Sequence, residues 1–243
     1  MKIKKLISAL VLGSMLVGLS GCNITDFSAE NLLRPPKAVG DEAEIEQLIA
    51  KTADSGYTLK YPKNGKFRSA IIMTDLDGND SNEAVAFFRN SAETSSVHML
   101  VMYSKDNSWE IASDNIFETT DIDSVDFADL TGNGKAEIIV NSTTYTPNVG
   151  KLSCYSYSEG KTNEVGSGQS CSSFVTGDFD NDGTSEIMSF VLYTTENEAL
   201  ASMLDYNEDS KSLYAKAMAN MDPNVVKYKN IAVTKLDNDI TGV

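Results

Sequence analysis

Residues 178–186 read DFDNDGTSE and lead directly into the apolar run IMSF. Two other segments share this frame: DLDGNDSNE at residues 75–83, before AVAFF, and DLTGNGKAE at residues 129–137, before IIV. In chain order we call them the first, second and third loops. Each begins and ends with a carboxylate and is rich in the residues that favour tight turns. Three copies in one register indicate a repeated unit in which a turn leads into a β-strand.

The loops have the ligand pattern of a calcium site. Oxygen-bearing side chains alternate along each loop, and Ca²⁺ binds such hard ligands. The predicted metal-ligating residues occupy the first, third, fifth, seventh and ninth places: Asp75, Asp77, Asn79, Ser81, Glu83; Asp129, Thr131, Asn133, Lys135, Glu137; Asp178, Asp180, Asp182, Thr184 and Glu186. The third loop has four carboxylates at these places, the first three and the second two, so calcium affinity is predicted to fall in that order.

An EF-hand interpretation of the loops fails. An EF-hand requires a bidentate Glu at the twelfth place, which is held here by Ala86, Val140 and Ser189. The residues after each loop are also patterned like a strand, whereas an EF-hand loop leads into a helix. The loops are therefore predicted to join strands.

On these residues the chain resembles the FG-GAP or VCBS repeat family. Its integrin-like blades carry a D-x-D-x-[DN]-G-x-x-[DE] calcium loop between their first two strands. The resemblance covers roughly residues 66–243. It implies an all-β fold, namely a β-propeller or partial propeller of four-stranded FG-GAP-like blades with bound calcium. It does not imply one activity.

Three positions depart from the family pattern. Asp80 stands where Gly is usual, at a place that requires the left-handed backbone region, which Asp tolerates better than most residues. Thr131 replaces the third-place carboxylate of the second loop. A fourth segment, residues 235–243, fits the frame but begins with Lys235. We expect this segment to have lost its metal, with the lysine ammonium standing in for the ion.

The spacing of the four motifs is typical of propeller blades. The motifs start at residues 75, 129, 178 and 235, so they are separated by 54, 49 and 57 residues. The first three units are predicted to have four strands each: 67–74, 83–89, 97–103, 108–111; 124–128, 137–142, 152–157 and a weak strand near 163; 173–177, 186–193, 199–206, 213–218. The sequence ends on the fourth motif, which predicts about three blades and the start of a fourth, as in a truncated product or a fragment of a longer reading frame.

The N-terminus has the features of a bacterial lipoprotein signal. Three lysines precede an apolar stretch, residues 6–19, that is too short to span a membrane comfortably. The following Leu-Ser-Gly-Cys22 resembles a lipobox. Residues 1–21 are therefore predicted to be a signal peptide, and lipidated Cys22 is predicted to hold the protein on the outer face of the cell membrane. An uncleaved anchor helix, the alternative, would leave this tetrad as coincidence.

Net charge argues against nucleic-acid binding. Residues 1–21 carry three lysines and no acidic residue, so the remainder has 17 basic and 35 acidic side chains, a net charge of about −18. Such a surface repels phosphates.

Residues 22–65 lie between the signal and the repeats. Residues 22–40 have no periodicity and are predicted to be a linker. Residues 41–65 are predicted to form a short helix, ending near Ala53, and a connection. Asp41 and Glu44 resemble a capping box at the start of this helix.

Cys154 and Cys171 flank a predicted hairpin. In an oxidising compartment they could form a disulfide, but the sequence does not establish that their α-carbons lie close enough. Two interpretations stay open at this point: a disulfide, or two reduced and partly buried thiols.

The chain lacks a recognisable catalytic constellation. Its one histidine, His98, lies in the apolar run VHMLVMY, which favours a hydrogen-bonded core or edge residue over a base. No second histidine is present to complete a zinc site or a Cys/His dyad with the two spare cysteines. Trp109 and the tyrosines at 145, 155 and 157 are predicted to fill space between blades, with stacking on a sugar ring as the alternative.

These features predict a surface-anchored, calcium-binding lipoprotein that is not an enzyme and acts as a binding or scaffold module. Its expected partners are the membrane, through Cys22, and an extracellular glycan or surface protein. The polar connections 90–96 and 143–150 differ between units and are the predicted binding face. Two alternatives remain: the propeller portion of a polysaccharide-degrading enzyme, and a purely structural spacer.

Overall fold

The computed structural model of the chain describes residues 40–54, 56–146 and 148–224, together with the backbone of residues 234–236 and 240–242. The signal peptide, Cys22, linker residues 22–39, and residues 237–239 and 243 of the fourth motif lie outside the described residues. The elements are α1 (Asp41–Ala53), β1 (Tyr57–Leu59), β2 (Ile71–Thr74), β3 (Glu83–Asn90), β4 (Val97–Lys105), β5 (Ser108–Phe117), β6 (Ile122–Ala128), β7 (Glu137–Thr143), β8 (Gly150–Ser158), β9 (Lys161–Cys171), β10 (Ser173–Gly177), β11 (Glu186–Tyr193), β12 (Glu198–Asn207), β13 (Ser212–Met221), β14 (Thr234–Leu236) and β15 (Ile240–Gly242).

The strands β1 to β13 form three antiparallel sheets, which confirms the all-β prediction. Sheet 1 has the order β1-β3-β4-β5, and β2 pairs with the other half of β3. Sheet 2 has the order β6-β7-β8-β9, and sheet 3 the order β10-β11-β12-β13. Most strands therefore pair with the strand that follows them in the chain, as successive hairpins do. The exception is β1, which pairs with β3 and gives sheet 1 a fifth strand beyond the predicted four. In the fourth motif, β14 and β15 form a two-stranded hairpin.

Sheet 2 packs against sheet 1 through one face and against sheet 3 through the other. Val85 and Phe87 of β3 join a cluster with Ile138 and Val140 of β7, between sheets 1 and 2. A second cluster joins sheets 2 and 3 and contains Ile139, from the opposite face of β7. Since β7 is buried on both faces, its run of apolar residues is continuous and does not alternate.

Helix α1 covers the outer face of sheet 1. Its residues Ile45, Ile49 and Ala53 are buried against Phe88 and other residues of that face. The predicted capping box is wrong: Gly40, with φ of 65°, is the N-cap, and the helix start has no side-chain capping bond. Three acidic residues in the first turn instead stabilise the helix start through their interaction with the positive end of the helix dipole. No helix in the described part of the chain is long and apolar enough to cross a membrane.

Cys154 and Cys171 are both present as buried thiols, not as a disulfide. They lie in the cluster between sheets 2 and 3. Burial raises the pKa of the Cys154 thiol far above its ordinary value. The thiol therefore stays protonated and acts as a small apolar side chain in the core.

Candidate metal centres

The three loops share one backbone conformation. The fourth and sixth places of each loop have positive φ: Gly78 and Asp80, Gly132 and Gly134, and Asn181 and Gly183. Asp80 has φ of 66°, so the prediction that an Asp can replace Gly at the sixth place is confirmed. The same turn thus forms in all three loops, although only the second has Gly at both places.

The ninth-place glutamates Glu83, Glu137 and Glu186 turn back under their loops. One carboxylate oxygen of each accepts the backbone N–H of the second place, at 2.8, 2.8 and 2.7 Å, respectively. All three side chains are almost fully buried, with 3%, 1% and 0% exposure. A buried carboxylate is costly unless its oxygens have partners, so the second oxygen of each glutamate needs a partner as well.

The fifth and seventh places form an equivalent turn in each loop. The side-chain oxygens of Asn79, Asn133 and Asp182 accept the backbone N–H two residues later, at 2.7, 2.8 and 2.8 Å. The first-place carboxylates of Asp75 and Asp129 also accept backbone N–H groups from within their own loops. The predicted ligand side chains are thus fixed in place by the loop backbone.

Two of the loops gather enough carboxylates to hold a metal ion. In the third loop, one carboxylate oxygen each of Asp178, Asp180, Asp182 and Glu186 lies within 4.8 Å of the others. In the first loop Asp75, Asp77 and Glu83 meet the same limit. The structure therefore brings together seven of the predicted ligands as two separate clusters.

Within these clusters, three carboxylate oxygens are buried and have no hydrogen-bond partner among the described residues. They are Asp77 Oδ1 in the first loop and Asp178 Oδ1 and Glu186 Oε1 in the third. A buried carboxylate oxygen without a partner destabilises the fold, by about 1–3 kcal/mol or more for a charged group. A bound cation would satisfy these oxygens directly.

The second loop satisfies its glutamate differently. Glu137 Oε1 accepts the hydroxyl hydrogen of Thr131 at 3.2 Å, while Oε2 accepts the N–H of Leu130 at 2.8 Å. Thr131 is the residue that replaces the third-place carboxylate. Its hydroxyl therefore bonds to Glu137 from the position that a metal ligand would otherwise occupy. Among the described residues this loop forms no cluster of three carboxylates.

Burial raises the pKa of Glu83, Glu137 and Glu186 above that of an ordinary glutamate. The charges of neighbouring loop carboxylates, such as Asp180 and Asp182 around Glu186, raise these pKa values further, although the bonds from backbone N–H groups oppose the effect. Burial and the neighbouring carboxylates therefore destabilise the ionised form of each glutamate, and a bound divalent cation would offset this effect.

Lys216 contacts the carboxylate cluster of the third loop, and the sequence alone did not indicate this. From β13, its ammonium donates hydrogen bonds to Asp180 and to Asp205, the latter at 2.9 Å. These two bonds raise the pKa of Lys216, so it stays charged. Because Lys216 lies 36 residues from Asp180 in the chain, only the pairing of β12 with β13 brings it to the loop.

Replacing Lys216 with Met is expected to raise the calcium affinity of the third loop about fivefold. The ammonium occupies an oxygen of Asp180 and repels a cation, and an exposed pair of this kind is worth up to about 1 kcal/mol. Calorimetric titration with calcium measures the change. Lys211→Met is the matched control, because Lys211 lies in the same β12–β13 hairpin but pairs with Glu208 at 2.7 Å. An unchanged or weaker affinity in Lys216→Met would contradict the competition.

The remaining candidates from the sequence are structural. His98 is buried, lies 2.9 Å through Nδ1 from Asp114 Oδ1, and stacks on Phe88 with ring centroids 4.8 Å apart. The prediction of a hydrogen-bonded histidine is therefore confirmed. Tyr155 and Tyr157 are buried between sheets 1 and 2, as predicted, whereas Trp109 is buried between sheet 1 and helix α1. The prediction that Tyr145 fills space between blades is wrong, since 93% of it is exposed.

Comparison with known proteins does not indicate a function for this chain. No protein-family model and no curated protein matches the chain. The two clusters, one of Asp75, Asp77 and Glu83 and one of Asp178 and its neighbours, contain only carboxylate oxygens as ligands. Neither group contains a histidine or a cysteine. Both lie at short turns between strands. This arrangement suits a hard divalent cation that stabilises the turn.

Proposed function

We propose that the chain is a surface-anchored lipoprotein whose first and third loops bind calcium and whose body is a binding or scaffold module. The observation that carries the calcium proposal is the set of buried, unpartnered oxygens of Asp77, Asp178 and Glu186. Each lies in a cluster of carboxylates that repel one another unless a cation is present. The second loop supports the proposal by contrast with the third, since its Thr131 hydroxyl gives Glu137 Oε1 the partner that Glu186 Oε1 lacks.

Calcium is the ion that fits the clusters best. Thiolate and imidazole ligands, which favour zinc and other transition metals, are absent from both groups. Magnesium binds in a small, strict octahedron and usually keeps several waters, whereas calcium accepts many carboxylate oxygens in flexible geometry. Three or four carboxylates on one short loop therefore favour calcium.

The proposed architecture is a β-propeller of FG-GAP- or VCBS-like repeats, complete or partial. Its support is the way successive loops contact each other. Ala136, at the eighth place of the second loop, donates its N–H to Leu76 O of the first loop at 3.1 Å. Ser185, at the eighth place of the third loop, donates to Asp129 O of the second at 2.8 Å. Sheets that repeat nearly the same contact from one to the next are expected in a radial array of four-stranded units.

A calorimetric titration of the chain with calcium tests the proposal. We expect two ions to bind per chain, one at each carboxylate cluster, with dissociation constants of about 10⁻⁴–10⁻³ M, as in extracellular calcium modules. The second loop is expected to contribute no measurable site. Absence of calcium binding would refute the metal proposal, and three equivalent sites would refute the role given to Thr131.

Replacing Cys22 with Ser is expected to move the protein from the membrane fraction to the soluble fraction or to leave an uncleaved precursor. The reason is that the thiol of Cys22 is the proposed attachment point of the lipid, and two or more acyl chains give stable anchoring. Fractionation followed by mass spectrometry of the N-terminal peptide measures the outcome. Cys154→Ser is the control, because Cys154 is buried in the body. A mature wild-type protein with an unmodified Cys22 would contradict the anchor.

A further inference from the structure

A polar groove lies beside the first strands of sheets 2 and 3, outside the metal loops. It consists of two adjacent cavities of about 240 and 260 Å³, and Asp123 of β6 lines both. The segment 63–68 forms another wall, through Lys63 in one cavity and Arg68 in the other. We call these two cavities the inner groove.

Each cavity contains a buried polar atom without a hydrogen-bond partner among the described residues. In the first it is Asn141 Oδ1, on a side chain that is 1% exposed. In the second it is Ser173 Oγ. Asn141 Oδ1 can only accept a hydrogen bond, whereas the serine hydroxyl can both donate and accept. Because buried polar groups are normally satisfied, two such atoms in one groove indicate a polar ligand or ordered water.

The inner groove carries charges of both signs. Lys63 is paired with Asp121 at 3.0 Å, which offsets its charge, and the other two charged wall residues, Arg68 and Asp123, are of opposite sign. Asp123 also accepts a hydrogen bond from Asn64 at 2.8 Å. Phe174, which is half-buried, adds an apolar wall to the second cavity. This mixture does not favour an anion or a cation. It suits a neutral molecule with many hydroxyl groups, each able to donate and accept, and with an apolar face.

The connection 143–150 supports the same site. Thr144 and Thr146 line the first cavity, and Tyr145 between them is the most exposed large apolar side chain in the described part of the chain, at 93%. Tyr145 does not itself line the cavity, but its two neighbours do, and its exposed ring is a rigid surface on which a sugar that extends out of the cavity can stack. A β-carbon at Gly150 would lie 2.3 Å from Asn141 Oδ1, so glycine is required at this cavity wall.

We infer that the inner groove binds neutral sugar residues of an oligosaccharide, with one ring in each cavity. Each cavity is close to the lower end of the volumes of small-molecule sites, which begin near about 300 Å³, and so fits a single ring. This inference rests on the proposed role as a binding module and assigns its ligand class and its site. It is independent of the metal proposal, because no residue of the three loops lines either cavity.

The test uses the full chain with calcium and an array of neutral gluco-, manno-, galacto- and xylo-oligosaccharides, with oligogalacturonate as an acidic probe. The best probe is then titrated against two groove variants, Arg68→Ala and Ser173→Ala. Ser104→Ala and Lys105→Ala are the matched controls, since both residues are exposed on sheet 1. Calcium binding by each variant shows that it is folded.

We expect binding of a neutral probe that weakens at least tenfold in each groove variant and is unchanged in the controls. Equal binding by wild type and both groove variants would overturn the site. Preference for oligogalacturonate would overturn the neutral ligand class. If no probe bound a chain that still takes up two calcium ions, the saccharide inference would fail while the calcium proposal stood.

Discussion

Replacing Glu186 with Gln is expected to abolish calcium binding at the third loop and to make the metal-free protein more stable. Glu186 is fully buried and its pKa is raised by burial and by Asp180 and Asp182. Without calcium, its negative charge destabilises the fold, and Gln removes that charge while its oxygen can still accept the N–H of Phe179. With calcium, the loss of a ligand removes the stabilisation that the ion provides.

The expected size follows from ligand linkage. Calcium at a hundred times its dissociation constant stabilises the native state by about 2.7 kcal/mol per site. For a chain of this size, that corresponds to about 5–10 °C in Tm. Thermal unfolding followed by circular dichroism, with and without calcium, measures both effects. The calcium-induced rise in Tm should fall by about half, because only the first loop remains, while the Tm in chelator should increase.

Glu137→Gln is the matched control, since Glu137 occupies the same place in the second loop. Both of its oxygens already have protein partners, Thr131 and Leu130. The calcium-induced rise in Tm should therefore be the same in Glu137→Gln as in the wild type. If the two Gln variants lost the same part of that rise, the second loop would also hold an ion. If Glu186→Gln bound calcium normally, its assignment as a ligand would be wrong.

The strands next to the third loop could be predicted because turn chemistry and periodicity agree there, whereas β2, before the first loop, begins at Ile71 and not at residue 67. The third loop begins at Asp178 and ends at Glu186, and β10 and β11 have the predicted bounds, Ser173–Gly177 and Glu186–Tyr193. The positive φ of Asp80 also followed from the frame. In these places the local sequence alone specifies the backbone, so no knowledge of tertiary contacts was needed.

Strands that lie at sheet edges were harder to predict. β9 runs over Lys161–Cys171, much longer than the weak strand expected near residue 163, because its mostly exposed and polar residues give little hydrophobic signal. β5 likewise extends to Phe117, beyond the predicted end at residue 111. β9 is held by pairing with the mostly buried strand β8, and β5 is held by pairing with the apolar strand β4. Pairing of this kind depends on the neighbouring strand and not on the edge strand itself.

The chemistry of the loops was predictable only in part. Counting carboxylates identifies the clusters, but it does not show that Thr131 closes the second loop or that Lys216 reaches the third. Both effects depend on side-chain geometry and, for Lys216, on the register of β12 with β13. Lys216 offsets part of the negative charge of Asp180, and it is itself shared with Asp205. A count of loop carboxylates alone therefore does not rank the third loop above the first.

Removing all calcium with a chelator is expected to lower Tm by about 10–20 °C. Below this lowered Tm the protein is expected to remain folded. Two sites at about 2.7 kcal/mol each give this shift. The sheets themselves remain, because their interfaces are built from apolar clusters whose members come mainly from the strands, although Leu76 and Leu130 of the first and second loops also belong to them. Unfolding curves in chelator, in calcium and in magnesium measure the effect, and magnesium should restore little of the stability. A Tm that is the same in chelator and calcium would contradict a stabilising role for the ion.

The same experiment separates a structural calcium from one that contacts a ligand. The inner groove is lined by residues such as Asp123 and Ser173, and no loop residue reaches it. At a temperature well below the Tm measured in chelator, oligosaccharide binding should therefore be the same with and without calcium. Near that Tm, binding should fall in parallel with the folded fraction. Loss of binding in chelator at low temperature, with the circular dichroism spectrum unchanged, would mean that calcium takes part in ligand contact.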